Sequence, residues 1–515
     1  MMYLNTIAIP LSLILAIFLA MYAVRSLIFL FIARNIAKPF MPNIRKSQVE
    51  VTTSKGCLRN GAIAFLNSSD REIKVAPVKS GPQLETRRRT SLDTQYKKMN
   101  YEPFVSVLIA SYNEQQVIDR LMKSCAALTY NQNNFEIIVI DDSEDETFHI
   151  LKIWEKRIPN LKVMHRSYRK GWKGGALNVA LNNMSPKSSY ALIVDADNIL
   201  PSHILESFVS RFNDCVLKGN NIVEAIQGYP VPMVYYNDDD NDNNSKLDTF
   251  DKAREYSNWV SKAIDFRLAK RNLMEFVAKD KLSLPVQITG SLFMIRSEAI
   301  KLLGFSEDLT EDWDLTLDLY LSPNRIFRRI HSHTYENGLQ NSNMHMRKIL
   351  YDPELISYSN SITEFRAYFK QRMRISEGHT RAFRKNISNI LTSNIRVSDK
   401  IEFFFTGLQY SKFIAVVILI IIDLILLLSS GGTDFAVTNN FMTTLLSVQA
   451  VFLSVAIGVS FIALDVCTTI RSYNIRDAFY FLLLSSCTIP AFVIGSLYGF
   501  LRDEGIFYRT ERSIF

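Results

Sequence analysis

The sequence predicts an α/β domain with a mostly parallel sheet, flanked by apolar helices of membrane-spanning length. The domain is expected to cover residues 101–345, and from about 101 to 335 short apolar runs of strand length alternate with helix-length polar stretches. Nearly continuous apolar strands indicate a buried parallel sheet that is covered by helices on both faces. The expected strands are 105–110, 135–141, 161–165 and 190–196, and the expected helices are 115–128, 144–157 and 173–183.

Composition excludes several classes of protein. The 515 residues include 59 Lys+Arg and 51 Asp+Glu, which gives a modest net charge of +8. No basic stripe is interleaved with aromatic residues, so nucleic acid is not expected as a partner, whereas anionic lipid headgroups suit the excess positive charge. The five cysteines are scattered and form no CxxC motif. This pattern argues against a disulfide framework or a cysteine zinc site and fits a reducing compartment.

The first 34 residues are predicted to form a membrane anchor. Residues 4–24 are almost entirely apolar, which is about the ~20 residues that a helix needs to cross a bilayer. Arg25, Arg34 and Lys38 follow this run, so the positive-inside rule places the next part of the chain in the cytoplasm. Residues 35–100 are polar and are expected to be a juxtamembrane linker.

The C-terminal region, residues 401–515, is predicted to return to the membrane. Two apolar stretches, 404–428 and 445–466, have the length of spans. A third, 478–500, is divided by Pro490 and followed by several arginines. It is either a full span or a helix that enters and returns, and the arginines favour the return. The sequence thus predicts a multi-pass protein of the cell membrane with its large domain in the cytoplasm.

Acidic residues follow three of the predicted strands, in the sequences SYNE (111–114), DDS (141–143) and DAD (195–197). A single Asp after a strand is usually a helix cap or a turn. Because the carboxyl ends of parallel strands meet at one edge of a sheet, three such sites together predict a binding site. Asp195 and Asp197, spaced i and i+2, suit Mg²⁺ or Mn²⁺ together with substrate phosphates. Neither GxxxxGK[ST] nor GxGxxG follows a strand, so a P-loop NTPase and a dinucleotide dehydrogenase are not supported.

Three further segments have two interpretations each. A glycine-rich helix start at 170–178 could bring Lys173 and backbone N–H groups near phosphate, although alone it is weak evidence. In TED (310–312), Thr310 could cap a helix, or one of the carboxylates of Glu311 and Asp312 could act as a general base. The sequence QRMRI (371–375) belongs to an amphipathic helix within 346–400, which could bind phosphate or lie on the membrane surface.

In this order and with membrane segments on both sides, the motifs resemble those of the membrane-bound family 2 glycosyltransferases, which include cellulose and hyaluronan synthases. The resemblance covers residues 101–385 by motif. It implies a cytosolic GT-A domain, with a Rossmann-like sheet, that uses a nucleotide sugar such as a UDP- or GDP-sugar. One base and a metal-held leaving group suit an inverting transfer.

The resemblance also implies roles for individual residues. The nucleoside would contact Tyr112, Glu114 and Asp141, and the diphosphate would lie near Lys173, Asp195 and Arg374. Asp197, with Asp195, would hold the metal, and Asp312, beside Glu311, would deprotonate the acceptor hydroxyl. The acceptor side would include Gly290, Ser291, Gln371, Arg372 and Ile375.

One position departs from the family pattern, and it concerns the acceptor. Ile375 stands where these enzymes usually have a tryptophan that stacks on the acceptor sugar. The overall layout favours a growing polysaccharide as acceptor, with export of the product, and dimerisation could complete a channel. The alternative is single addition to a lipid or a lipid-linked acceptor. The sequence FYRT (507–510) resembles a cytosolic gating motif of such synthases.

Overall fold

The computed structural model describes residues 2–53, 102–217, 223–233, 257–321, 349–429, 454–455, 457–467 and 473–505. The gating-like sequence 507–510, most of the linker 35–100 and the first part of the predicted span 445–466 lie outside the described residues.

The described strands form one mixed sheet of eight strands, in the order β3-β2-β1-β4-β7-β6-β8-β5. The strands are β1 (Val105–Ser111), β2 (Phe135–Asp141), β3 (Leu161–His165), β4 (Tyr190–Asp195), β5 (Asn198–Ile199), β6 (Ala225–Met233), β7 (Phe293–Arg296) and β8 (Ile349–Asn360). The four strands expected from the sequence are confirmed, and they pair in parallel. The sheet departs from the mostly parallel prediction at the two-residue β5, which runs antiparallel to β8, and at β7, which runs antiparallel to β4 and β6. Its four residues are too few to show a pattern in the sequence.

Alternate side chains of each central strand enter two separate cores, one on each face of the sheet. Val107 and Ile109 pack on one face, whereas Leu108 and Ile138 pack on the other. All four side chains are fully buried. The prediction that helices cover both faces is therefore confirmed.

The described helices are α1 (Met2–Thr53), α2 (Ile118–Ala126), α3 (Thr147–Glu155), α4 (Trp172–Asn182), α5 (Ile204–Leu217), α6 (Trp259–Ala269), α7 (Val277–Lys281), α8 (Ser297–Leu303), α9 (Glu311–Leu321), α10 (Phe365–Thr392), α11 (Val397–Gly407), α12 (Lys412–Ser429), α13 (Ile457–Cys467), α14 (Ile475–Cys487) and α15 (Ile489–Leu501). A π-helical segment, Lys270–Phe276, joins α6 to α7. The predicted helices 115–128, 144–157 and 173–183 correspond to α2, α3 and α4.

The sheet extends beyond residue 345, where we expected the GT-A domain to end. Strand β8 pairs with β6 and β5, so it belongs to the same sheet. The following helix, α10, packs closely against α15. The Ser376 hydroxyl donates to the Phe492 carbonyl at 2.9 Å, and Cβ atoms added at Gly495 and Gly499 would lie 2.3 and 2.5 Å from carbonyl oxygens of α10. Protein therefore encloses the middle of α10.

Among the described helices, one is long and apolar enough to cross a membrane, and it lies within α1 at Pro10–Asn35. Helix α1 begins at Met2 and continues beyond the predicted anchor to Thr53, whereas the candidate span within it begins only at Pro10. Two helix pairs are bent by 65° (Val397–Gly407 and Lys412–Ile425) and 44° (Ile475–Cys487 and Ile489–Leu501). If each pair is one span, the number rises to three. The second bend lies beside Pro490, which the sequence predicted to divide this stretch. A broken span and a returning helix would both show such a bend. The multi-pass topology remains a prediction.

Candidate functional site

The acidic strand ends lie side by side at one edge of the sheet. In the strand register, Ser111 at the end of β1 pairs with Asp141 of β2, and Ala110 pairs with Asp195 of β4. The motifs SYNE, DDS and DAD are therefore neighbours, as parallel pairing requires.

Lys173 joins three of the predicted motifs. Its Nζ donates to Asp195 Oδ1 at 2.6 Å and to the Gly290 carbonyl at 2.7 Å, and lies 3.1 Å from Glu311 Oε1. Burial opposes the charged amine, but the carboxylates of Asp195 and Glu311 outweigh it and raise the pKa of Lys173 above its usual range. The lysine is therefore a fixed positive charge between the DAD turn and the start of α9.

The glycines before and after Lys173 allow close packing. Gly171 has a φ of +72° and caps α4, a backbone conformation that favours glycine. A Cβ added at Gly174 would lie 1.9 Å from the Ser306 carbonyl oxygen. The first turn of α4 thus packs directly on the loop that leads to α9. These glycines position Lys173 by packing on the loop before α9, a contact that the sequence did not predict.

Asp312 lies on the first turn of α9, next to Gly290. A Cβ added at Gly290, whose φ is +81°, would lie 3.3 Å from Asp312 Oδ2 and 3.4 Å from Lys173 Nζ. The other carboxylate oxygen, Oδ1, accepts a hydrogen bond from the Trp313 N–H at 2.8 Å. Burial, and next the neighbouring Glu311 carboxylate, raise the pKa of Asp312 from 3.8 to about 7. Asp312 therefore occupies a helix start and also has the pKa of a general base near neutral pH.

The DAD turn supplies carboxylate ligands for a hard cation, and substrate phosphates would complete the ligand set. Ser291 Oγ accepts hydrogen bonds from the Asp195 N–H at 3.0 Å and from Asn198 Nδ2 at 2.5 Å, which fixes the turn. The described residues contain no cluster of three or more His, Cys, Asp or Glu that could hold a metal. Two carboxylates, Asp195 and Asp197, nevertheless suffice for Mg²⁺ or Mn²⁺ when substrate phosphates supply further oxygens. The residues thus fit the predicted metal.

Residues that follow β3 line a cleft beside β2, and the sequence did not predict them to be functional. Its volume is about 500 Å³, and its lining includes Asp142, His165, Arg166 and Arg169. Arg166 pairs with Asp142, with its Nε 2.6 Å from Oδ1. Arg166 and Arg169 lie just after the parallel strand β3, and this position is the signal that could have identified them as site residues.

Two residues predicted to hold the nucleoside lie next to this cleft. The Arg169 guanidinium lies 3.5 Å from the centre of the Tyr112 ring. Asp141 is fully buried, and its carboxylate contacts Ser143 Oγ at 2.6 Å and His165 Nδ1 at 3.0 Å. Glu114 lies on the same loop after β1, and its N–H donates to Thr147 Oγ1 at 2.8 Å.

The QRMR residues lie on α10, which packs beside the helix that carries Asp312. A Cβ at Gly378 would lie 2.8 Å from Leu309, and Arg381 pairs with Asp308 at 2.9 Å. Arg372 is 7% exposed, and its Nη2 donates to Gln371 Oε1 at 2.6 Å. Arg374 and Ile375 are partly buried on the same stretch of helix. The structure thus places the part of α10 that follows this motif, at Gly378 and Arg381, next to the start of α9.

Comparison with known families defines the class of this domain. Residues 106–218 match the family model described as Glycosyl transferase family 2. This stretch contains the SYNE, DDS, glycine-rich and DAD motifs. It is therefore a family 2 glycosyltransferase domain, and its mixed α/β sheet is GT-A-like.

Curated relatives with similar sequences are glycosyltransferases. The beta-monoglucosyldiacylglycerol synthase of Nostoc sp. is 39% identical over 112 residues, which are 21% of this chain and 24% of that protein. The poly(ribitol-phosphate) beta-N-acetylglucosaminyltransferase TarS of Staphylococcus aureus is 29% identical over 132 residues, which are 25% of this chain and 22% of that protein. The chain thus spans about a quarter of the length of these relatives.

A solved structure with a similar fold is the mannosyltransferase PcManGT of Pyrobaculum calidifontis, in complex with GDP-Man and Mn²⁺. It is 15% identical, covers 80% of this chain and 94% of its own, and has a TM-score of 0.48.

Proposed function

We propose that this protein is a membrane-anchored, inverting glycosyltransferase that moves a sugar from a UDP- or GDP-sugar to a hydroxyl group of an acceptor. The observation that carries the proposal is the contact of Lys173 with both Asp195 and Glu311, next to Asp312. It brings a phosphate-compatible cation, a predicted metal ligand and a candidate base into one site.

The leaving group of this reaction is a nucleoside diphosphate, whose negative charge grows as the glycosidic bond breaks. Asp195 and Asp197 would hold Mg²⁺ or Mn²⁺, which when bound neutralises charge on that diphosphate. Lys173 and Arg374 would add positive charge on the protein's side. Tyr112, Glu114 and Asp141 would hold the nucleoside at the ends of β1 and β2.

Asp312 would accept the proton of the attacking hydroxyl. A base is most effective when its pKa lies near the working pH, and the pKa of Asp312 is about 7. Glu311 raises that pKa and holds Lys173 in place, so we assign it a positioning role beside the base. One base and one displacement at the sugar carbon predict inversion of the anomeric centre.

The acceptor has two candidates. The motifs and their order favour a growing polysaccharide, with Gly290, Ser291, Gln371, Arg372 and Ile375 on the acceptor side and a homo-oligomer completing an export route. A lipid acceptor is the second candidate. It is supported by the Nostoc relative, whose name includes a diacylglycerol lipid. The described residues hold one to three candidate spans, and that number is small for a polymer channel.

The test uses the purified full-length chain in detergent with a panel of UDP- and GDP-sugars. We expect one donor to release nucleotide in the presence of Mn²⁺ and an acceptor extract. Absence of release with every donor would contradict the proposed activity. Mass spectrometry of the product then separates the acceptors, because a polymer series and a single addition differ in mass.

Ile375→Trp provides a second measurement on the acceptor side. We expect it to change product length or acceptor KM while the donor KM stays nearly constant, since residue 375 is assigned to the acceptor side. A change confined to the donor KM would contradict that assignment.

A further inference from the structure

Three arginines on α6, the π-helical segment and α10 lie close enough for their charges to interact. The guanidinium carbons of Arg267 and Arg372 lie 6.0 and 5.0 Å from the centre of the same ring, that of Tyr368. Arg271 follows Arg267 by four residues, and its guanidinium lies 5.4 Å from the Phe276 ring. A π-helical segment such as Lys270–Phe276, which carries Arg271, occurs frequently at functional sites.

Among the described residues, no salt bridge joins these arginines to an acidic side chain. Within the part of the chain that the structure describes, the Nε atom of each of the three is buried and has no hydrogen-bond partner. Arg372 is 7% exposed. The carboxylate of Glu275 acts on the charge of Arg271, but it already contacts Arg25 at 2.8 Å and Lys279 at 3.1 Å.

The arginines also repel one another. Burial, and next the charge of Arg267, lower the pKa of Arg372 to about 10. Buried charges are normally paired, because an uncompensated charge away from water is costly. A bound anion would relieve both the repulsion and the missing hydrogen bonds.

The surroundings indicate where such an anion comes from. The π-helical segment contacts the candidate membrane span of α1 through Glu275 and Arg25, 2.8 Å apart. Helix α6 packs against α14 of the bent apolar pair, where the Phe266 and Phe481 rings lie 5.7 Å apart. The cluster is thus flanked by apolar helices, a position that suits the headgroup of a lipid.

We infer that Arg267, Arg271 and Arg372 bind the phosphate group of a lipid. Guanidinium groups recognise phosphate oxygens with pairs of N–H donors, which matches the unpaired Nε atoms. This inference deepens the proposed function and rests on it only in placing the lipid on the acceptor side of the enzyme. Arg267 and Arg271 lie outside every motif that the sequence singled out.

The experiment measures lipid binding by calorimetry on the full-length chain in neutral detergent. The probes are a short-chain phosphatidic acid and the diacylglycerol with the same chains, which lacks the phosphate. We expect the phosphatidic acid to bind about tenfold more tightly, as hydrogen bonds between charged groups are strong. Arg267→Gln and Arg271→Gln should remove most of that preference, and Arg271→Lys should retain part of it. Lys262→Gln, on α6, is the matched control and should change nothing.

Other outcomes overturn the inference. Equal binding of the two lipids by the wild-type chain overturns it even if the variants fail to fold. A lipid preference that survives in Arg267→Gln and Arg271→Gln also overturns the inference. A loss of nucleotide binding in Arg267→Gln overturns it as well, because that loss would assign the arginines to the donor diphosphate. Nucleotide release without a lipid preference contradicts this inference alone, whereas lipid preference without nucleotide release contradicts the proposed function alone.

Discussion

The Lys173 ammonium lies 2.6 Å from the Asp195 carboxylate, and this contact joins the glycine-rich helix to the predicted metal-binding turn. The two residues are 22 positions apart in the chain. The same ammonium contacts the Gly290 carbonyl and Glu311. Four segments of the candidate site therefore depend on one lysine for their relative positions.

Lys173→Met should reduce kcat by about 10²-fold or more, because one preorganised charge at a leaving group is typically worth that much. Lys173 also lowers the pKa of Asp312. Its loss should therefore raise that pKa and move the pH profile of kcat/KM toward alkaline pH. Steady-state kinetics across pH measures both effects. Lys162→Met, an exposed lysine on β3, is the control, and an unchanged pH profile in Lys173→Met would contradict the coupling.

Asp312→Asn should reduce transfer by about 10²–10⁴-fold, the usual value of a general base. The side chain keeps its size, so donor binding by calorimetry should stay close to that of the wild type. Asp318→Asn, two turns along α9, is the matched control and should keep its activity. Equal loss of donor binding and transfer would make Asp312 a structural residue of the helix start.

The same variant predicts a change of stability with pH. Because the folded-state pKa of Asp312 is about 7 and its ordinary value is 3.8, the folded protein holds this proton more tightly than the unfolded chain. The corresponding stability is present at low pH and is lost as the pH rises through about 7. Asp312→Asn should therefore raise Tm relative to the wild type more at alkaline pH than at acid pH. A difference in Tm that does not vary with pH would contradict the raised pKa.

Removal of the predicted metal ligand should abolish turnover. In Asp197→Ala the DAD turn keeps one carboxylate, which is too little charge to hold a cation with the diphosphate. EDTA should stop nucleotide release by the wild type, and added Mn²⁺ or Mg²⁺ should restore it. Asp214→Asn on α5 serves as the control. Full activity in EDTA would rule out the metal role of Asp195 and Asp197.

Gly174→Ala should destabilise the protein, because the new Cβ would lie 1.9 Å from a backbone oxygen. Overpacking typically costs ~1–3 kcal/mol. Gly458→Ala is the matched control, since a Cβ there meets nothing within 4 Å. Thermal unfolding of the two variants gives the comparison, and equal Tm values would contradict the close packing of α4.

The sequence by itself determined the sheet edge on which the site lies. The apolar runs predicted β1 to β4. Parallel pairing brings the carboxyl ends of these strands together independently of the loop conformations, so Asp141 and Asp195 had to lie at the same edge. It also identified the apolar N-terminal helix from composition alone. It could not show that β7 is antiparallel, because four residues carry no periodic signal.

Only the tertiary structure decided how the site residues interact. Lys173 contacts residues of three other segments, and Arg267 and Arg372, far apart in the chain, approach the same Tyr368 ring. Burial in the folded protein raises the pKa of Asp312. Each depends on burial and on distances of a few ångströms, which hydrophobic patterns do not encode. Gly174 illustrates the difference: the sequence suggested that the glycine-rich helix start brings Lys173 near phosphate. Only the structure shows that a Cβ at Gly174 would lie 1.9 Å from the Ser306 carbonyl oxygen, in the loop before α9.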